Sequence, residues 1–231
     1  MSEVTRLIVV RHGNTFNSGD IILRVGSATD IPLTEKGVQQ GNAVGRDLAA
    51  AGICVDKIFA APLQRTMRSA QEIASHYGNM DVEVAGFLTE LDYGQDDGQP
   101  EDDIVLRLGI VESDGRIVPE TTLDELRAAG KAALKKWDSE AILPRAWKHL
   151  DARVAQLEKD WAEFGEMVKR DFAGKTVVAV TSNGIARFSK VLLPAGEALD
   201  GNLKLATGAY GIYVCENGVW RSDKWNVRPE L

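Results

Sequence analysis

The sequence predicts an α/β fold, and three observations carry that reading. Short apolar runs suited to buried strands recur along the chain, stretches with helical periodicity separate them, and glycines stand where those helices should stop. The strand-like runs fall at residues 6–10, 55–60, 82–85, 176–181 and 210–214, and the helix-like stretches at about 34–51, 63–77, 148–171 and 184–192. Alternating elements of this kind build layers, because each has an apolar face that must be buried against its neighbours.

The first run, Leu7-Ile8-Val9-Val10, opens at its end into Arg11-His12-Gly13-Asn14-Thr15. Gly52 and Gly78 are natural stops for the first two helices, and Pro62 suits the first turn of the second, whose missing amide hydrogen costs nothing there. Gly174-Lys175 divides the long charged helix from the strand at 176–181. Residues 99–147 contain Gly109, Gly115, Pro119, Gly130 and Pro144 among short helical pieces and read as a cap over the strand ends. No internal repeat or low-complexity linker interrupts residues 1–231, so one domain with this insertion is expected. Trp137, Trp147 and Trp161 are expected to anchor the insertion and the next helix by packing, with His149 a surface or packing residue.

Composition narrows the function classes. A hydrophobic content of 44% supplies a sizeable core, and a net charge of −7 argues against nonspecific binding of nucleic acid. Cys54 and Cys215 both lie among apolar neighbours and are expected to be buried free thiols, as in a reducing cytosol. No run approaches the length of a membrane span, and the N-terminal residues lack a long apolar stretch. The expectation is a cytoplasmic protein with no nucleic-acid or membrane partner.

The chemistry-bearing residues begin at the end of the first strand. A neutral imidazole can attack phosphorus while an adjacent guanidinium draws in the phosphate oxygens, and strand ends in α/β sheets are where ligands bind. Arg11-His12 therefore reads as a phosphoryl-transfer pair; the plain alternative is a capped strand end with a surface histidine. Arg65 falls in the first turn of a helix, where an oxyanion would meet its guanidinium and the free amides of the helix start; the alternative is a solvated helix charge, the reading given to Arg68.

Four stretches stand out together: Arg11-His12-Gly13-Asn14-Thr15, Pro32-Leu33-Thr34-Glu35-Lys36-Gly37-Val38-Gln39-Gln40, Ala61-Pro62-Leu63-Gln64-Arg65, and Glu90-Leu91-Asp92-Tyr93-Gly94 with Gly98 beyond. In these the chain resembles the histidine phosphatase superfamily, also called the phosphoglycerate mutase-like family: they are similar, in that order, to its Arg-His-Gly-x-Ser/Thr signature, its Pro-Leu-Thr helix start, its Ser-Pro-Leu-x-Arg element and its acidic loop. The resemblance implies a three-layer α/β/α sandwich with a mostly parallel central sheet and a helical cap insertion. It also implies His12 as nucleophile, Glu90 as proton donor to the leaving oxygen, Arg11 and Arg65 as phosphate ligands, and no metal or organic cofactor. The other acids of the Glu90 loop, namely Asp92, Asp96, Asp97, Glu101, Asp102 and Asp103, are expected to be mostly solvated, and no calcium-loop or paired-histidine metal pattern accompanies them.

Two departures stand out. The family carries a second histidine after a late strand, and here that segment is Thr181-Ser182-Asn183-Gly184-Ile185-Ala186-Arg187. An ungapped register puts Ser182 at the histidine position; a slip of one residue puts Asn183 there. Neither supplies the charge of an imidazolium. The family's asparagine six residues after the nucleophile also has no match: Asn17 is five residues after His12, and a phosphate-binding role and a plain turn role both stand for it. The reading is a phosphatase that hydrolyses a small phosphomonoester through a phosphohistidine at His12, with a small phosphorylated substrate or inorganic phosphate as its partner. The alternatives are a catalytically impaired protein that binds a phosphorylated ligand, and a phosphoglycerate mutase-type phosphotransferase.

Overall fold

In the computed structural model, which describes residues 4–113, 121–199 and 201–231, the apolar runs pair into one six-stranded sheet. Its strands are Thr5–Arg11 (β1), Lys57–Ala60 (β2), Val82–Val84 (β3), Thr176–Thr181 (β4), Tyr210–Glu216 (β5) and Val219–Val227 (β6). Their spatial order is β3-β2-β4-β1-β5-β6. The pairs β3/β2, β2/β4 and β4/β1 are parallel, and β1/β5 and β5/β6 are antiparallel.

The central strands are apolar at successive positions because helices cover both faces of the sheet. Leu7, Val9, Val177 and Ala179 point into one core with Phe59, Trp161 and Phe164. Ile8, Val10, Val178 and Val180 point into the other with Val44, Leu48, Ala70 and Ile73. Helices Glu35–Ala50 (α1) and Gln64–Ala74 (α2) build the second core, while Asp151–Asp171 (α5) and the single turn Asn183–Ala186 (α6) build the first. The result is the expected α/β/α sandwich on a mostly parallel sheet. Thr34 starts α1 by accepting from the Gly37 amide at 3.1 Å, satisfying one of the unpaired donors of the helix end.

The main departures from the sequence reading lie where local pattern and tertiary setting disagree. Residues 99–147 hold two long helices, Glu101–Glu112 (α3) and Leu123–Glu140 (α4), in place of short pieces; Gly115 and Pro119 lie outside the described residues. Gly109 and Gly130 do not break these helices. They let them touch: a Cβ on Gly109 would lie 1.8 Å from the Leu126 carbonyl oxygen, and one on Gly130 1.9 Å from that of Val105. Strand β6 escapes detection because its outward residues Arg221, Asp223 and Lys224 give an edge strand little apolar character; Trp220 and Trp225 are its buried side chains. The expected helix at 148–171 starts as a 3₁₀ turn, Arg145–Leu150, and the one at 184–192 continues from α6 as 3₁₀, Arg187–Leu192. Cys54 is exposed, contrary to expectation, since it sits in the turn that precedes β2; Cys215 is buried, and both are free.

Trp137, Trp147 and Trp161 are buried, and their packing ties α4, the 145–150 turn and α5 to the sheet. Trp137 and Trp147 meet edge to face at 6.2 Å. No described helix is long and apolar enough to cross a membrane.

The α3–α4 contact yields a stability test. Alanine at Gly130 would gain about 1 kcal/mol of helix propensity on an exposed helix, but here its methyl meets the Val105 carbonyl. Gly130→Ala is expected to destabilise the protein by about 1–3 kcal/mol, the cost of overpacking, measured by urea denaturation. A stabilised variant would contradict the close backbone contact.

Candidate active site

The parallel register Arg11↔Thr181 brings the ends of β1 and β4 to one level, and the His12 amide extends the ladder by donating to the Thr181 carbonyl at 3.0 Å. The chain after β1 and the chain after β4 therefore leave the sheet side by side, around a cavity of about 620 Å³. Its strand-end wall includes Arg11, His12, Glu90, Asn183, Gly184 and Arg187.

His12 is 7% exposed, and its Nδ1 lies 2.8 Å from the carbonyl oxygen of Gly13. A carbonyl only accepts, so Nδ1 carries the hydrogen and Nε2 keeps its lone pair, without a hydrogen-bond partner among the described residues. Burial, then the nearby guanidinium groups of Arg65 and Arg11, hold the imidazole well below the usual histidine range. The ring is neutral at pH 7, with a free nitrogen in the cavity.

Arg11 donates from Nη1 to the Leu205 carbonyl at 2.7 Å, and its Nε is buried without a partner. Burial lowers its pKa to about 10, which leaves it cationic at neutral pH. The N–H of the same residue, Leu205, donates to Oδ1 of Asn183 at 3.0 Å. That bond fixes the amide's orientation and leaves Nδ2 with no acceptor among the described residues. The backbone of one residue thus positions both the guanidinium and the carboxamide.

Glu90 is buried at 8% exposure, and both its carboxylate oxygens accept from backbone amides, Oε1 from Leu91 at 2.9 Å and Oε2 from Gly184 at 3.2 Å. Gly184 permits this approach, because a Cβ there would lie 2.1 Å from Oε1. Tyr93 lines the cavity beside it, and burial, reinforced by the charge of Glu90, raises the phenol so that it stays protonated.

Apart from Lys131, the remaining cations in or beside the cavity are tied to partners. Arg187 is stacked 4.0 Å over the Trp137 ring, donates to the Trp137 carbonyl and lies 3.3 Å from Asp138, which also binds Lys204 at 2.6 Å. Arg24 pairs with Glu101. Arg65 is fully buried, is not among the cavity-lining residues, and donates to the carbonyls of Thr29 at 2.9 Å and Gly26 at 3.0 Å. It fixes the 26–29 loop and adds positive potential at His12.

Of the expected site residues, Arg11, His12, Glu90 and Asn183 line one cavity, and Arg65, Ser182 and Asn17 do not. Ser182 is 2% exposed, with its hydroxyl buried and without a partner. Asn17 is exposed in a turn with Asp20, its amide donating to the Asp20 carboxylate at 2.7 Å. The acidic loop is more structural than expected. Asp96 is buried and binds Arg107 and the Trp147 indole, and Asp97 accepts from the Gly26 and Ala28 amides at 3.0 Å each. No group of residues able to hold a metal occurs among the described residues. Neither other histidine lines the cavity: His76 packs near Gly45, and His149 lies 3.2 Å from the Asp92 carbonyl. Sequence reasoning missed Asn14, Thr207, Asp138 and Lys204. Asn14, which accepts from the Thr207 hydroxyl, was recoverable from its place beside the histidine. The others come from distant segments that carried no signal.

The His12 environment makes a pH prediction. An unfolded imidazole protonates near pH 6.5, while the folded ring resists, so below that pH the unfolded chain binds more protons. His12 therefore costs stability as pH falls from about 6.5 toward its folded pKa, and costs nothing above. His12→Gln is expected to make urea stability fall less steeply than wild type between about pH 6.5 and 5, and to run parallel to it at higher pH. Identical acid slopes would mean that His12 is not held neutral.

Residues 7–110 match the histidine phosphatase superfamily (branch 1). A probable phosphoglycerate mutase of Salmonella paratyphi A is 35% identical over 136 residues, covering 56% of this chain and 61% of the relative. The matched stretch spans 48% to 61% of the length of such mutases. In fold, the chain superposes on phosphoglycerate mutase from Bacillus anthracis with a TM-score of 0.70 at 19% identity, covering 97% of this chain and 94% of the other. It superposes on a mycobacterial glucosyl-3-phosphoglycerate phosphatase in complex with VO3 with a TM-score of 0.64 at 21% identity, covering 96% and 98%. At these identities the structural likenesses establish the fold alone.

Proposed function

We propose that this chain, a histidine phosphatase superfamily member through residues 7–110, is a phosphatase that hydrolyses a small phosphomonoester by way of a phosphohistidine at His12. The observation that carries the reading is the neutral His12 ring, with Nδ1 held by the Gly13 carbonyl and Nε2 left free in a cavity shared with Arg11. Relatives and fold neighbours include both mutases and phosphatases, so phosphoryl transfer is common to them and hydrolysis is the finer claim.

In the proposed reaction Nε2 attacks phosphorus and the bond from phosphorus to the ester oxygen breaks. The proton of the bound phosphomonoester monoanion passes by way of Glu90 to the departing oxygen. The Nδ1–H bond to Gly13 supports the positive charge that develops on the ring, and Arg11 binds the equatorial oxygens. Water then attacks the phosphohistidine, Glu90 recovers a proton from it, and phosphate leaves with His12 neutral again. Asn183 offers its Nδ2 hydrogens to the same phosphoryl group, and Arg65 acts through its field on His12. Ser182 and Asn17 have no role in this scheme. The single imidazole of the cavity favours a second reading, a protein that binds a phosphorylated ligand without turnover.

Trapping separates the readings. With a phosphorus-labelled substrate and an alkaline quench, hydrolysis gives a transient label that His12→Ala abolishes together with at least about a thousandfold of turnover. A durable label discharged to a second substrate would indicate a mutase, and no label with retained phosphate binding would indicate the binding protein. Glu90→Gln should slow alkyl phosphates by about 10²–10⁴-fold and activated aryl phosphates much less; equal slowing would remove its proton-donor role.

The two candidates for the missing second histidine separate by substitution. Asn183→His is expected to strengthen vanadate binding below about pH 6.5, where an imidazolium forms, whereas Ser182→His, with its side chain in the sealed interior, should lose stability and gain no affinity. The reverse pattern, read by calorimetry and thermal melting, would return the position to Ser182.

A further inference from the structure

The cavity around His12 is larger than a phosphoryl group requires. At about 620 Å³ it falls in the range of pockets that enclose drug-sized molecules. Beyond the strand ends its wall is apolar: Phe16, Ile22, Leu23 and Val25 come from the loop after β1, Val105 from α3 and Leu134 from α4. Three separate segments thus converge on one lining. The loop segment also has an apolar lip, since Ile22 is 50% and Ile21 73% exposed, where a surface loop would ordinarily be polar. The two helices are locked together by their glycine contacts, so this part of the wall is built in advance of any ligand.

The charged groups of the same cavity nearly cancel, five cations standing against four carboxylates. Arg24 pairs with Glu101 and lies 5.2 Å from the Tyr93 ring centre and 5.0 Å from that of Trp147. Arg187 and Lys204 share Asp138. Glu90, Glu101, Asp102 and Asp138 all line the space and would repel a carboxylate. After these pairings Arg11 and Lys131 are the lining cations without a carboxylate partner among the described residues. Arg11 belongs to the phosphoryl group, and the other four lining cations, Arg24, Lys131, Arg187 and Lys204, are matched in number by the carboxylates of Glu90, Glu101, Asp102 and Asp138, which leaves no net positive charge for a second anionic group.

Building on the reading of His12 as phosphoryl acceptor, we propose that the ester's alcohol portion is an uncharged apolar body, an aryl or branched alkyl group seated against these six side chains, and not a hydroxy acid. Such a group is drawn in by burial of its own surface and excludes water from the scissile bond until it departs.

Phosphonates, which are not hydrolysed, test this by binding alone. Calorimetry with the wild-type protein would compare methylphosphonate, 3-phenylpropylphosphonate and 3-phosphonopropionate, with vanadate as the probe of the phosphoryl site. The phenylpropyl compound is expected to bind about tenfold or more tighter than methylphosphonate. Ile22→Ser and Leu134→Ser should each remove about threefold or more of that gain while leaving methylphosphonate affinity little changed; Ile22→Ser, at an exposed position, should also keep the melting temperature, whereas Leu134→Ser lowers it, because Leu134 packs on the core. Lys131→Ala should leave all three affinities unchanged. Tighter binding of the carboxylated compound, lost in Lys131→Ala, would overturn the proposal in favour of a hydroxy acid. Vanadate binding without any gain for the phenylpropyl compound would overturn the apolar class and spare the His12 reading. Failure of vanadate and all three phosphonates to bind would overturn both.

Discussion

The in-register parallel pairing of β1 with β4 is the constraint on which the site depends. It aligns Arg11 with Thr181 and passes one further hydrogen bond from His12 to the Thr181 carbonyl, so two chain segments far apart in sequence end at the same level. Every other strand-end feature is referred to that line. The backbone of Leu205, just before β5, can reach Arg11 with its carbonyl and Asn183 with its N–H because those two residues already stand side by side. Glu90 joins them through the Gly184 amide, which exists at that place only because α6 begins immediately after β4. A shift of one residue in the pairing would turn the alternate residues of the slipped strand toward the opposite core, and the two buried clusters forbid it.

Electrostatics then distributes the work among similar side chains. Four guanidinium groups lie in or beside the cavity region, yet they are not equivalent. Arg65 is committed to loop carbonyls and Asp30, Arg24 to Glu101, and Arg187 to Asp138 and the Trp137 carbonyl. Arg11 alone of the four has no ion pair, only a carbonyl partner, and is therefore the guanidinium most available to an anion. The same positive field, together with burial, keeps His12 neutral and so nucleophilic. Asn183 contributes donors that carry no charge, so in this cavity the imidazole of His12 faces no second imidazole.

The α3–α4 pair and the turn at Arg145–Leu150 attach to the rest of the protein through a small polar and aromatic cluster. Asp96 is the hub: it binds Arg107 of α3 and the indole of Trp147, whose ring lies 4.8 Å from that of Tyr93, a cavity residue. Arg24 rests against both rings. An acidic residue in the Glu90 loop thus acts as a buried anchor, and burial of its charge is compensated by a bidentate guanidinium and an indole N–H.

By itself the sequence determined what is local. Continuous apolar runs named the central strands, because a strand covered on both faces must be apolar throughout, and Arg11-His12-Gly13 at the end of one of them named the nucleophile candidate. Arg11 was legible for the same reason, whereas Glu90 stood out from its neighbouring acids only through the resemblance of its loop to that of the histidine phosphatase superfamily. The tertiary structure decided what depends on register and on partners. It separated Asn183 from Ser182 by which side chain reaches the cavity, turned Arg65 and Asp97 toward loop carbonyls and amides, and made Gly109 and Gly130 contact points where their helix-breaking character suggested interruptions. It also gathered Asp138, Lys204 and Thr207 from segments with no local signature. Periodicity reports which face of an element is buried, but the identity of the atom that a buried polar group meets is fixed only when distant segments are brought within hydrogen-bonding distance.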